Sequence, residues 1–327
     1  MRVILWLVLV LGIVWGGYWV VGARAIEAGV TDWFAGAASQ GIQARQSGIS
    51  VSGFANRFDL TVTEPHLTDP RTGWGWQAPF AQVFAMTWKP WHVIAVLPND
   101  QLITGPDGRI AVTSSKMDAS LRLVPSGNFP LAEVVFDGRD VFAKSDQGWQ
   151  FGAKSIVAAM ARQAGVTNGQ RLGLDILDLA PDPALMGLVP QLGAVISAVH
   201  LDATVTLTAP LDRHLAQIKP NVTGIHLTDF LLSWGEMRLA ASGQVAARAD
   251  GLAEGKIDLH ITNWRSIPAL IVAMGLVKPG MGASLTSGLQ AMAQSGGNPD
   301  ELTLALIFKD GRMSFGPVPL GPAPRLN

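Results

Sequence analysis

Hydrophobic and polar positions change their period twice along this chain. The first stretch, VILWLVLVLGIVWGGYWVVGA, places 21 residues without a charge between Arg2 and Arg24. About 20 apolar residues suffice to cross a hydrocarbon core of about 30 Å, so residues 1–25 are expected to form a single transmembrane anchor. Trp6 lies near one end of it and Trp15, Tyr18 and Trp19 near the other, where amphipathic rings favour the headgroup regions. A cleaved signal peptide, with Ala23-Arg24-Ala25 as a small-x-small site, is the competing reading. Secretory apolar cores span only about 7 to 15 residues, which favours a retained anchor. Arg2 precedes the helix, whereas Arg24 is soon followed by Glu27 and Asp32; this bias keeps the amino terminus inside and exports the rest.

Beyond the anchor, Ile26, Val30, Trp33, Phe34 and Ala37 recur at helical spacing and predict an amphipathic stalk helix over 26–46. From residue 47 the period becomes two. RFDLTVT sets Phe58, Leu60 and Val62 against Asp59, Thr61 and Thr63, and HLDATVTLT, GKIDLHIT and ELTLALIF repeat the alternation. Half-buried antiparallel strands follow. Asp-Gly pairs at 107/108, 137/138, 250/251 and 310/311 are expected to make tight turns, because Asp-Gly readily supplies positive φ.

Helical patterns are read at 154–164, 184–199 (interrupted by Pro190), 265–276 and 281–294. WQFGAKSIVAAM and NWRSIPALIVAM form a faint internal echo in which a strand passes through a tryptophan into a helix. The tail SFGPVPLGPAPRLN is too proline-rich for a central strand. The expected fold is thus α+β and β-rich: one N-terminal transmembrane helix, then antiparallel, hairpin-built curved sheets partly covered by helices. The body over 47–327 is expected to form two halves, 47–165 and 166–327.

Composition narrows the function. With 24 basic against 25 acidic side chains, no charge excess points to a nucleic-acid partner. Cysteine is absent, which removes thiolate nucleophiles and sulfur-rich metal sites. No nucleophile elbow, phosphate loop or His-Glu-x-x-His occurs. The histidines at 66, 92, 200, 214, 226 and 260 do not fall at metal-ligand spacing, and Asp137 with Asp140 suits a turn better than an acid/base pair. No catalytic residue, metal site or cofactor is expected.

TGWGWQAPFAQVFAMTWKPWHVIAVLP, residues 72–98, holds Trp74, Trp76, Trp88 and Trp91. Three readings stand side by side: rings filling a core, rings set at the bilayer surface, or rings lining an apolar groove for an acyl chain.

GGYWVVGA, SGFANRFDLTVTEPHL, DPRTGWGWQAPFAQVFAMTW and KPWHVIAVLPNDQ resemble an alphaproteobacterial envelope family, the domain of unknown function 2125. The resemblance covers most of the chain and is strongest over 12–101; it implies a bacterial inner-membrane anchor with a periplasmic body, and no reaction. LAASGQVAARADGLAEGKIDLHITNW and FKDGRMSFGPVPLGP are similar to the strand repeats of AsmA-like envelope proteins, which implies a curved sheet holding lipid along a hydrophobic groove. The expected function is a non-enzymatic binding protein for membrane lipid. The alternatives are an envelope scaffold or assembly factor contacting other envelope proteins, and a hydrolase with a dispersed site.

Overall fold

The computed structural model describes residues 1–215, 217–273, 278–315 and 318–326. The chain divides into two compact units, Met1–Val124 with Phe136–Gly148, and Pro125–Val135 with Trp149–Asn327.

The first unit opens with α1 (Arg2–Gly36), unbroken through residue 25 and ending in a 3-10 turn that Gly41 closes in the left-handed region, φ 78°. The segment read as a separate stalk, 26–46, is the last third of this helix, the turn and the first strand. Among the described residues α1 is the one helix long and apolar enough to cross a membrane.

The strands that follow are β1 (Gln43–Arg45), β2 (Gly48–Ser52), β3 (Arg57–Thr63), β4 (His66–Asp69), β5 (Trp74–Gln77), β6 (Phe80–Met86), β7 (Lys89–Val96), β8 (Asp100–Gly105), β9 (Gly108–Thr113), β10 (Lys116–Leu123) and β11 (Leu131–Ser145). One antiparallel group runs β2-β3-β6-β7-β10. The other runs β1-β4-β5-β8-β9, with residues 142–145 of β11 on β9. Register explains the first group: Val51, Leu60, Val83 and Ala95 stand opposite one another across four strands, so the period-two pattern places one apolar row on one face.

Asp107-Gly108, Asp250-Gly251 and Asp310-Gly311 all lie at chain reversals. The fourth pair does not. Asp137 and Gly138 sit inside β11, where Asp137 binds Lys116 Nζ and Arg139 Nε, both at 2.7 Å. An acidic residue between a cation of β10 and one two positions along its own strand suits a strand as well as a turn.

The second unit is a meander: β12 (Gln150–Arg162), β13 (Gly169–Ala180), α2 (Pro183–Leu188), β14 (Ile196–Leu207), β15 (Val222–Trp234), β16 (Met237–Ala247), β17 (Ala253–Thr262), α3 (Ile267–Ala273), α4 (Gly282–Ser295), β18 (Glu301–Lys309), β19 (Arg312–Phe315) and β20 (Val318–Pro322). From β12 to β20 each strand is antiparallel to the next in sequence.

The helix expected over 154–164 is a strand. Its alanines, Met160 and Lys154 favour helix locally, but Ile156, Ala158 and Met160 register with Ile176, Leu174 and Leu172, and cross-strand pairing overrides a weak propensity. The internal echo therefore fails: Trp264 leads into α3, whereas Trp149 precedes β12. Over 184–199 only α2 and a 3-10 turn at Pro190–Leu192 are helical, and Ile196 already begins β14. Asp182 fixes the start of α2 by accepting from Ala184 N at 2.8 Å. The helix at 281–294 is present as α4; the end of the one read over 265–276, and Pro317 of the tail, lie outside the described residues. The tail pairs as β20 on β19 and continues to a bridge between Leu252 and Arg325, which suits a proline-rich edge.

Candidate functional site

The four tryptophans of residues 72–98 do not converge. Trp76 is half-buried and donates from Nε1 to Gln101 Oε1 at 2.9 Å, while Gln101 Nε2 reaches Pro98 O and Met117 Sδ. It is a core ring with its polar edge satisfied. Trp74 is half exposed and covers Gly105, where an added Cβ would lie 3.2 Å from the indole. Trp91 is half-buried in a bulged part of β7, where the partners jump from Lys89 to Val93. Trp88 is 55 % exposed at the β6–β7 turn. Among the described residues, no ring contact links these four into an apolar groove.

The aromatic residues of the anchor occupy a more definite environment. Trp15 Nε1 donates to Ala55 O at 3.0 Å, Tyr18 Oη to Thr87 O at 2.8 Å and Trp19 Nε1 to Arg57 O at 2.6 Å. Their rings surround Phe58 and Phe54: Trp19 meets Phe54 edge-on at 5.4 Å and stacks on Phe58 at 6.1 Å, and Tyr18 meets Phe58 at 6.3 Å. Gly22 allows this seat, because a Cβ there would lie 2.7 Å from the Phe58 ring. Trp6, further along the anchor, is 65 % exposed.

The second unit carries a continuous apolar face. Met160, Leu172, Ala203 and Leu227 register across β12 to β15, followed one step along by Ala158, Leu174, Leu201, Phe230 and Ala241. Leu227 and Phe230 are three residues apart, so simple alternation would put them on opposite faces. A register shift in β15 at 228–229 restores them to one face.

Helices cover one end of this face. Leu192, Trp264, Ile267, Leu289 and Ala293 pack over Ile196, Trp234, Met237, Ile261 and Leu302, all under 9 % exposed. Trp234 and Trp264 donate to Gly193 O and Pro299 O. A smaller cluster of Val245, Ala253, Phe308 and Ala323 closes around the C-terminal strands. Leu172, Leu174, Leu201, Leu227 and Phe230 belong to neither cluster and are half-buried.

The same row of β13 ends at Gln170, which lines a cleft of about 650 Å³ with Arg162, Val166, Asn128, Leu131 and Asp212. Gln170 is 4 % exposed, and its Oε1 has no hydrogen-bond partner among the described residues, a costly state for a buried acceptor. An apolar strip thus leads to a polar cleft with a cation at its edge.

The opposite face of β13 and β14 is charged but compensated. His200 Nδ1 lies 2.6 Å from Asp175, whose hydrogen bond holds the imidazole above its ordinary value. Arg171 beside Asp202 holds that carboxyl below the usual range. Among the described residues, no three His, Asp or Glu side chains are placed to hold a metal.

Two comparisons bear on kinship. No curated protein matches the chain. The family described as an uncharacterized protein conserved in bacteria, DUF2125, matches residues 19–324, and with nearly the whole body covered the chain belongs to that family.

Proposed function

We propose that the protein is a non-catalytic lipid binder of the bacterial envelope, held in the inner membrane by α1 with its body in the periplasm. The observation that carries this reading is the apolar face of β12 to β18, which α2, α3 and α4 cover at one end only. A sheet with one apolar face needs a second layer. Along Leu172, Leu174, Leu201, Leu227 and Phe230 neither buried cluster supplies one. An acyl chain is the occupant whose chemistry fits. The cleft at the end of β13 supplies the polar complement: Arg162 for a phosphate and the unpartnered Gln170 Oε1 for a headgroup N–H or O–H.

The test is photocrosslinking of the full chain, reconstituted in bilayers, with a phospholipid carrying a diazirine in its acyl chain. Labelled peptides should include β13 and β14, and Leu201→Asp should remove that label while leaving the β-sheet circular dichroism unchanged. Labelling restricted to α1 and the turns packed on it would overturn the reading.

A further inference from the structure

The uncharged part of α1 that the body leaves free, between Arg2 and Trp15, is too short to cross a bilayer unless part of the body enters with it. The full run of 21 uncharged residues makes about 31 Å of helix at ~1.5 Å per residue, just enough for a hydrocarbon core of about 30 Å. From Trp15 onward, however, the helix is occupied by the body: Trp15, Tyr18, Trp19 and Gly22 all contact residues 54–58 or 87. Between the charge of Arg2 and Trp15, residues 3–14 give only ~18 Å of uncharged helix, and tilting shortens the span along the membrane normal further.

The turns that meet this part of the helix have the surface such a depth requires. Phe54 is 67 % exposed at the β2–β3 turn, and Met86 and Trp88 are 43 % and 55 % exposed at the β6–β7 turn. Non-helical backbone survives at hydrocarbon depth only where its polar groups are satisfied by protein. Here four of the carbonyls are met by individual donors. Ala55, Arg57 and Thr87 carbonyls accept from Trp15, Trp19 and Tyr18, and Asn56 O accepts from both the amide and the hydroxyl of Thr87. In water these carbonyls would need no such donors. Arg57, at the edge of the first turn, is paired with Asp59 at 2.7 Å, and Lys89 begins the strand beyond the second, within reach of the headgroups.

We infer that the β2–β3 and β6–β7 turns are immersed in the leaflet from which α1 emerges, with the phospholipid bilayer itself covering Phe54, Met86 and Trp88. The protein is then both spanning and monotopic, its first unit seated in the membrane. This inference is independent of lipid held on the second unit's sheet.

The chain has no cysteine, so Phe54→Cys and Trp88→Cys, made singly in the full protein, can each carry one thiol-reactive fluorophore. The labelled proteins are reconstituted into phosphatidylethanolamine/phosphatidylglycerol vesicles containing lipid with an acyl-chain nitroxide. Each label should lose most of its emission to the nitroxide and little to aqueous iodide. Quenching by iodide without quenching by the nitroxide would overturn the inference. Protection from both would overturn it as well, because a second protein copy would then be covering the turns. Among the described residues Trp88 makes no hydrogen bond or ring contact with the anchor, so its replacement gives a reading even if Phe54→Cys loosens the helix seat.

Discussion

Tyr18 Oη donates to the Thr87 carbonyl at 2.8 Å, joining the apolar helix α1 to the β6–β7 turn across 69 residues of chain. Tyr18→Phe keeps the ring against Phe58 and removes only the hydroxyl. Leaving a buried carbonyl unmet costs about 1–3 kcal/mol. The variant should unfold at lower temperature in detergent micelles and exchange the 86–89 amides faster in a hydrogen-exchange experiment. Unchanged exchange would show that water reaches Thr87 freely.

Gly22→Val should release the helix seat, since the new Cβ would lie 2.7 Å from Phe58 Cζ. Overpacking of this kind costs roughly 1–3 kcal/mol. Gly12→Val and Gly17→Val are the matched controls, because nothing stands within 4 Å of a Cβ at either position. Only the first should lower the thermal midpoint.

Trp264 and Trp88 are the same residue type in opposite settings, 2 % and 55 % exposed. Trp264→Ala empties the centre of the helix-covered core and loses the bond to Pro299 O; about 3–5 kcal/mol is the expected cost. Trp88→Ala should shift the denaturant midpoint by no more than about 0.5 kcal/mol equivalent. Urea unfolding of the two variants compares them directly.

His200 makes a small, signed contribution to pH dependence. Asp175 raises its folded-state pKa above the ordinary value, so the stabilisation is fully present below about pH 6.5 and is lost as pH rises through the folded value. Both side chains are well exposed, which limits the effect to about 0.5 kcal/mol. Asp175→Asn should therefore be less stable than the native chain in mild acid and equal to it in mild base. An NMR titration of His200 should move downward in the same variant.

The anchor and most strands are legible because their signals are local: an uncharged run for α1, alternation for β3, β14, β17 and β18. The misread segments are those where a partner decides. Ile156, Ala158 and Met160 form a strand because β13 offers them Ile176, Leu174 and Leu172, and nothing within 154–164 reports that. The apolar face of β15 is likewise hidden, since the register shift at 228–229 breaks the alternation that would reveal it. Trp15, Tyr18 and Trp19 could be recognised as membrane-boundary aromatics, but their acceptors lie 38 to 69 residues away. The crowding of Trp74, Trp76, Trp88 and Trp91 has no single cause: their four settings differ, and only Trp76 has its indole bonded across strands.

Because α1 continues without interruption from its uncharged, membrane-length run into its packing against β1 to β3, the first unit has no leash. A flexible linker would let a body sweep the space above the membrane; here any rotation of the helix about its axis turns the first unit with it. Whatever that unit meets must therefore come to a surface of fixed height and bearing, as a ship meets a pier rather than a buoy.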